Sequence, residues 1–151
     1  MKLAIVIPTR NEEKTLPFLI SSIKEQTFKN FKIIVADANS TDKTREIAKK
    51  YECEVVEGGK PSVGRNRGME KAIEEGFKVC FMIDADSILP SKDFLEKALR
   101  EFKERNIDLA GTLQNPFDTK IKIDLNNVIE TCKSSKDWKY RLIYWFTNFF
   151  L

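Results

Sequence analysis

The chain contains no histidine in its 151 residues. Any acid–base step must therefore use carboxylates, Lys, Tyr or Cys, and a serine-hydrolase triad of the usual kind is excluded. Cysteine is scarce too. Cys53, Cys80 and Cys132 are an odd number with no CxxC or Cys/His spacing, which points to reduced thiols in a cytoplasmic compartment. Two of the three read as core residues. The few glycines match neither GxGxxG nor the Walker pattern, and those of "GGKPSVGRNRG" read as loop glycines. No stretch approaches the roughly 20 apolar residues needed to span a bilayer. The N-terminal "LAIVI" is too short, and too soon followed by charge, for a signal peptide. With 26 basic against 23 acidic side chains, there is no basic stripe with interleaved aromatics, so no nucleic-acid partner is expected.

What is present belongs to a folded domain. Apolar residues make up 42% and charged residues 32%, a balance that argues against disorder. Leu3 to Ile7 reads as a strand ended by Pro8. Leu16, Leu19, Ile20 and Ile23 then recur at the spacing of an amphipathic helix. Lys32 to Ala36 reads as a second strand, followed by a helix to about Tyr51 with Ser40 or Thr41 as its N-cap and Asp42 at its positive end. "CEVVE" is a third strand. A helix capped by Ser62 follows and stops at Gly76. "KVCFMI" is a fourth strand, and Ser91 opens a helix with the stripe Phe94, Leu95, Ala98, Leu99 and Phe102. "IDLAGT" is a fifth strand. This alternation indicates an α/β fold with a parallel central sheet. The pattern changes near Pro116, so residues 1–115 form one expected unit and 116–151 the start of an acceptor-side segment.

Chemistry collects where such sheets bind ligands, beyond the carboxyl ends of the strands. "FMIDADSILP" places Asp84 and Asp86 at the end of an apolar strand, "PTRNE" follows strand one, and Asp37 ends strand two. Glu12, Asp37, Asp84 and Asp86 together would repel an anion unless a divalent cation bridged them to phosphates, and Mg²⁺ or Mn²⁺ accepts such oxygen ligands. Each residue also has a plainer reading. Asp37 can be a turn former or helix-entry residue, and Arg65 and Arg67 a solvated helix face. The paired Asp84 and Asp86 are harder to explain that way, since adjacent carboxylates at a buried strand end need neutralising.

"IVIPTRNEEKTLPFLISSIKEQTF", "IIVADANSTDKT", "VGRNRGMEKA" and "FMIDADSILP", in this order and spacing, resemble family 2 glycosyltransferases of the GT-A fold, over about residues 3–115. The resemblance implies a nucleotide-diphospho-sugar transferase, with a Rossmann-like sandwich, a nucleotide-diphosphate sugar donor and Mg²⁺ or Mn²⁺. It implies that Pro8, Thr9, Arg10 and Glu12 pack on the nucleoside and that Asp37 bonds base or ribose. Arg65 would lie near the diphosphate, and Asp84-Ala85-Asp86 would be the DxD motif. In that motif Asp86 is the metal ligand, with Asp84 facing ribose or metal-bound water. The family often has Tyr at Arg10, Asp at Ala38 and Asp at Ser87. Its catalytic base lies downstream, where Asp118, Asp124, Glu130 and Asp137 stand in no familiar motif, so no base is nominated.

The expected reaction is transfer of a sugar to the hydroxyl of a saccharide or lipid-linked acceptor, in the cytoplasm or at the inner face of its membrane. One rival is a non-catalytic nucleotide-sugar-binding module. The other is a haloacid-dehalogenase-like phosphatase, whose first motif also reads DxD, with Asp84 as nucleophile; that motif normally opens its domain, whereas some 80 residues precede it here. The aromatic run within 138–151 is expected to be helical. It would cover an acceptor half, a second copy or a membrane surface, or be buried on its own sheet.

Overall fold

Uninterrupted apolar runs make strands here because both faces of the sheet are covered. The computed structural model describes residues 2–104, 109–110 and 141–144. In chain order these give β1 (Leu3–Thr9), α1 (Leu16–Lys24), β2 (Phe31–Asp37), α2 (Thr44–Lys50) and β3 (Glu54–Glu57). There follow α3 (Pro61–Glu74), β4 (Val79–Met82), α4 (Phe94–Glu104), β5 (Leu109–Ala110) and β6 (Arg141–Tyr144). The sheet order is β3-β2-β1-β4-β6-β5, with every pairing parallel. Order reverses between β1 and β4, the position where open α/β sheets bind ligands.

Alternate residues of each strand feed two cores. Leu3, Ile5 and Ile7 of β1, with Val79 and Phe81 of β4, pack against the buried stripes of α1, α2 and α4. Ala4, Val6, Cys80 and Met82 face α3 and Phe77. Each such large side chain contributes about 1.5–3 kcal/mol by leaving water. The α1 stripe is the expected Leu16, Leu19, Ile20 and Ile23, all fully buried. In α4, Leu95, Leu99 and Phe102 are buried, with Phe94 and Ala98 at the margin.

Four local expectations are corrected. Ser40 does not cap α2, because its hydroxyl is taken by Asp37 (2.5 Å). The helix starts at Thr44, whose N–H donates to Asp42 (2.9 Å). Ser62 lies inside α3, since Pro61 takes the first helical position, where its missing N–H costs nothing. Ser91 leads into α4, but its hydroxyl donates to Asp93. Gly64 and Gly68 are helical rather than loop glycines. With Ala72 they form a small-residue stripe, and a Cβ on Gly68 would stand 2.3 Å from Cγ1 of Val6. Gly76, with φ +78°, does end its helix as expected.

The C-terminal expectation also changes. Arg141–Tyr144 is a strand inserted between β4 and β5, so the helical reading fails for those residues. A short apolar run has no period that distinguishes a buried strand from a helix, and the free edge of β4 decides the matter. The expected boundary near Pro116 lies outside the described residues. Among the described residues no helix is long and apolar enough to cross a membrane.

Candidate functional site

Four strand ends converge on a cleft of about 740 Å³. Pro8, Thr9, Arg10 and Glu12 come from the end of β1 and its loop, and Asp84, Ala85 and Asp86 follow β4. Arg65 enters from α3. Seven of the eight residues expected to bind the donor, together with Asp86, therefore meet in one place. The exception is Asp37.

Asp37 ends β2 in register with Thr9, but it is fully buried and does not line the cleft. Its Oδ1 accepts the hydroxyls of Thr9 (3.1 Å) and Ser40 (2.5 Å). Its Oδ2 accepts the Ser40 N–H (3.1 Å) and pairs with Nε of Arg45 (3.2 Å). A carboxylate so surrounded by protein donors has little capacity left for a base or ribose. Asp37 ties the loop after β1 to the one after β2.

Those two loops interlock further. The N–H of Asn11 donates to Ser40 Oγ, that of Glu12 to Thr44 Oγ1, and that of Glu13 to Asp42 Oδ2. In return, Asn11 Oδ1 accepts the N–H of Thr41, and Glu13 Oε2 that of Lys43. Asn11 (φ 57°) and Asn39 (φ 54°) make the required left-handed turns, a conformation Asn tolerates better than most residues. Burial raises the Asp42 carboxyl, but the hydrogen bonds from Thr44 and Glu13 together outweigh it and leave it below its ordinary value. Glu12 accepts the Thr15 hydroxyl (2.5 Å) while facing the cleft.

At the opposite wall Asp84 and Asp86 are not equivalent. Arg65 Nη2 donates to Asp84 Oδ1 at 2.5 Å, with both side chains partly buried. The Asp86 carboxylate is exposed and has no hydrogen bond or ion pair among the described residues. The pair needed neutralising, and a protein cation does it for one member only. Asp86 thus has the hard oxygens to offer a divalent cation, with Asp84 tied back by Arg65. Among the described residues no cluster of three or more potential metal ligands occurs.

Sequence reasoning missed the wall supplied by Ala38, Asn39, Gly58, Gly59, Lys60 and Pro61. The end of β3 carried the same positional signal as the other strand ends but lacked an acid to draw notice. Gly58 has to be glycine, since a Cβ there would stand 2.6 Å from the Ala36 carbonyl oxygen. Arg67, the other helix arginine, turns to the carbonyl of Gly58 (2.7 Å) and to Glu57 instead of the cleft. Burial pushes the Cys53 and Cys80 thiols up to about 11, so neither is a nucleophile near neutral pH. Cys132, Asp118, Asp124, Glu130 and Asp137 lie outside the described residues.

Comparison with known proteins identifies similar chains. A family model described as "Glycosyl transferase family 2" matches residues 4–148. The poly(ribitol-phosphate) beta-N-acetylglucosaminyltransferase TarS of Staphylococcus aureus is 32% identical over 120 residues, 72% of this chain and 20% of that protein. The GalNAc(5)-diNAcBac-PP-undecaprenol beta-1,3-glucosyltransferase of Campylobacter jejuni is 33% identical over 97 residues, 58% of this chain and 31% of that protein. The chain thus spans well under half the length of these relatives. The crystal structure of S. aureus TarS 1-349 in complex with UDP-GlcNAc superposes with TM-score 0.66 at 27% identity, covering 78% of this chain and 36% of that one. A mannosyltransferase from Pyrobaculum calidifontis, in complex with GDP-Man and Mn²⁺, shares the fold with TM-score 0.64 at 20% identity over 78% of this chain and 36% of its own. The architecture is that of GT-A glycosyltransferases. The phosphatase reading receives no support from these likenesses.

Proposed function

Because this chain belongs to glycosyltransferase family 2, we propose that it binds a nucleotide-diphosphate sugar for transfer to an acceptor hydroxyl. The observation that carries the reading is the cleft at the β1/β4 reversal, with Arg65 and Asp86, unpaired among the described residues, on one wall and Pro8–Arg10 on another. The nucleoside sits against Pro8, Thr9, Arg10 and the Ala38–Asn39 turn. Arg65 faces the diphosphate, and Asp84 holds Arg65 in place. Asp86 would hold Mg²⁺ or Mn²⁺, which when bound supplies positive charge to the diphosphate as it leaves. Arg65 adds a fixed cation to the same leaving group, and preorganised charge of this kind is often the largest single contribution to rate.

The bond formed joins the acceptor oxygen to the anomeric carbon. The bond broken is the one from that carbon to the nucleotide diphosphate, and the hydroxyl proton passes to a base. Glu12 is engaged by Thr15 and Asp84 by Arg65, so no described carboxylate is assigned that task. The similarity to TarS, solved with UDP-GlcNAc, favours a uridine nucleotide as the first donor to try. The same proposal includes a saccharide or lipid-linked acceptor and a cytoplasmic location near the membrane. A binding module without turnover is the second reading, since no described carboxylate is assigned as base.

Calorimetry of the full chain with UDP, GDP and their monophosphates, in Mn²⁺ and in EDTA, tests donor binding. A diphosphate is expected to bind at least about tenfold more tightly with Mn²⁺, the scale of one lost charged contact. No binding of any diphosphate would sink the proposal. Sugar release with and without a lipid or saccharide acceptor then separates enzyme from module.

A further inference from the structure

The loop carrying Asp84 and Asp86 is irregular from Ile83 to the start of α4, yet it is held at both ends. Upstream, the Ile83 N–H donates to the Val6 carbonyl (3.1 Å), and the Ser87 N–H closes a turn on the Asp84 carbonyl (3.1 Å). Downstream, the grip comes from the far end of α1. Gln26 is 1% exposed, an unusual place for an amide side chain. Its Nε2 donates to the carbonyls of Ser91 (2.7 Å) and Ser22 (3.2 Å), and its Oε1 accepts the N–H of Leu95 (3.0 Å). Beside it, Ser22 Oγ accepts the N–H of Leu89 (3.2 Å), and the Thr27 N–H donates to the Lys92 carbonyl (2.7 Å). The amide thus gives the buried Leu95 N–H, in the first turn of α4, its acceptor, and joins the Phe94 N–H on the Ser91 carbonyl just before it.

We propose that Gln26 is a positioning residue for Asp86. A carboxylate serves a cation only when its oxygens are held close to the required place, and groups behind a ligand set that place. Asp86 is three residues ahead of Leu89 and has no side-chain partner of its own among the described residues. Its position therefore depends on the backbone, and the backbone depends on the Ser22–Gln26 grip. This inference rests on the reading of Asp86 as the cation-holding residue.

The test uses the full chain with UDP as probe, titrated in Mn²⁺ and in EDTA, for wild type, Gln26→Leu, Ser22→Ala and Asp86→Asn. Gln26→Leu keeps the volume and loses the three bonds. It is expected to weaken binding in Mn²⁺ by about tenfold, within the range seen for residues behind metal ligands, and to leave binding in EDTA within about twofold. Raising Mn²⁺ should recover the loss. Amide exchange at Asp86 and Ser87 should quicken in the same variant. Ser22→Ala should show the same selectivity at about threefold and provides the measurement if Gln26→Leu fails to fold. Equal losses in Mn²⁺ and EDTA, or none in either, overturn the positioning role and leave Gln26 as a support for α4. If Asp86→Asn retains the whole Mn²⁺ advantage, the metal reading falls and this inference with it. If Asp86→Asn loses the advantage and neither Gln26→Leu nor Ser22→Ala does, only the inference falls.

Discussion

Asp37 and Asp86 occupy similar positions, each at or just beyond the carboxyl end of a parallel strand beside β1. Their surroundings are opposite. Asp37 is completely buried and takes two hydroxyls, one N–H and an arginine. Asp86 is exposed and takes nothing among the described residues. The first carboxylate is committed to the fold, and the second is available to a ligand. An acid after a strand is therefore only a candidate, and the donors around it decide its role.

The largest effect expected from this contrast is on stability. Asp37→Ala leaves Thr9 and Ser40 without their acceptor and should cost about 2–4 kcal/mol in urea denaturation, the range for breaking a buried charged network. Its affinity for UDP, measured where it is folded, should fall less than that of Asp86→Asn, since Asp37 reaches the cleft only through Thr9 and the loops it ties. A stable Asp37→Ala protein that no longer binds nucleotide would reverse the comparison.

Asp86→Asn should show the opposite profile. Stability should move by less than about 0.5 kcal/mol, as for an exposed residue without partners, while Mn²⁺-dependent UDP binding falls by about 1.5–3 kcal/mol. Equal affinity in EDTA and Mn²⁺ for the unaltered chain would remove the basis for the difference. Between the two extremes stands Arg65→Ala, which frees Asp84 and removes a cation from the cleft. It should weaken UDP by about 1–2 kcal/mol more than it weakens uridine, and Arg65→Lys should recover only part because it cannot reproduce the guanidinium fork.

The smallest effect lies at the other end of the sheet, where Lys32 and Lys71 meet Glu54 and Glu75. The Lys32 ammonium, with help from Lys71, holds the Glu75 carboxyl down at about 2 against an ordinary 4.5. A carboxyl lowered on folding adds stability above its unfolded value and loses it as pH falls towards its folded one. Stability should therefore decline between about pH 4.5 and 2, and Glu75→Gln should flatten that limb. A decline of unchanged depth in Glu75→Gln would assign it to other acids.

Much of this was legible in the residues. The stripes of α1 and α4 state their period openly, and the apolar runs of β1, β2 and β4 end at Pro8, Asp37 and Asp84, so the layers follow from them. The cleft was legible because strand ends in a parallel sheet share one edge, which brings Pro8, Arg65 and Asp84 together from distant parts of the chain. The role of Asp37 was not, since alternation places its side chain but does not count the donors around it. β6 was hidden for another reason: "RLIY" has no period, and the edge of β4 decides its form. Gln26 was invisible, because "EQTFKN" reads as a polar surface turn and only α4, far along the chain, converts it to an interior site.

The small-residue stripe of α3 has a consequence of a different kind. Gly64, Gly68 and Ala72 let the helix stand close against Val6 and Pro8, so the thickness of that contact fixes how far the Arg65 end is from the opposite wall. Aperture is thereby separated from chemistry: a methyl group added at Gly68 would meet Val6 and act as a shim, widening the mouth without touching any group that faces a ligand. Relatives or designed variants that accept bulkier donors could do so through the floor of this helix, leaving the cleft residues unchanged.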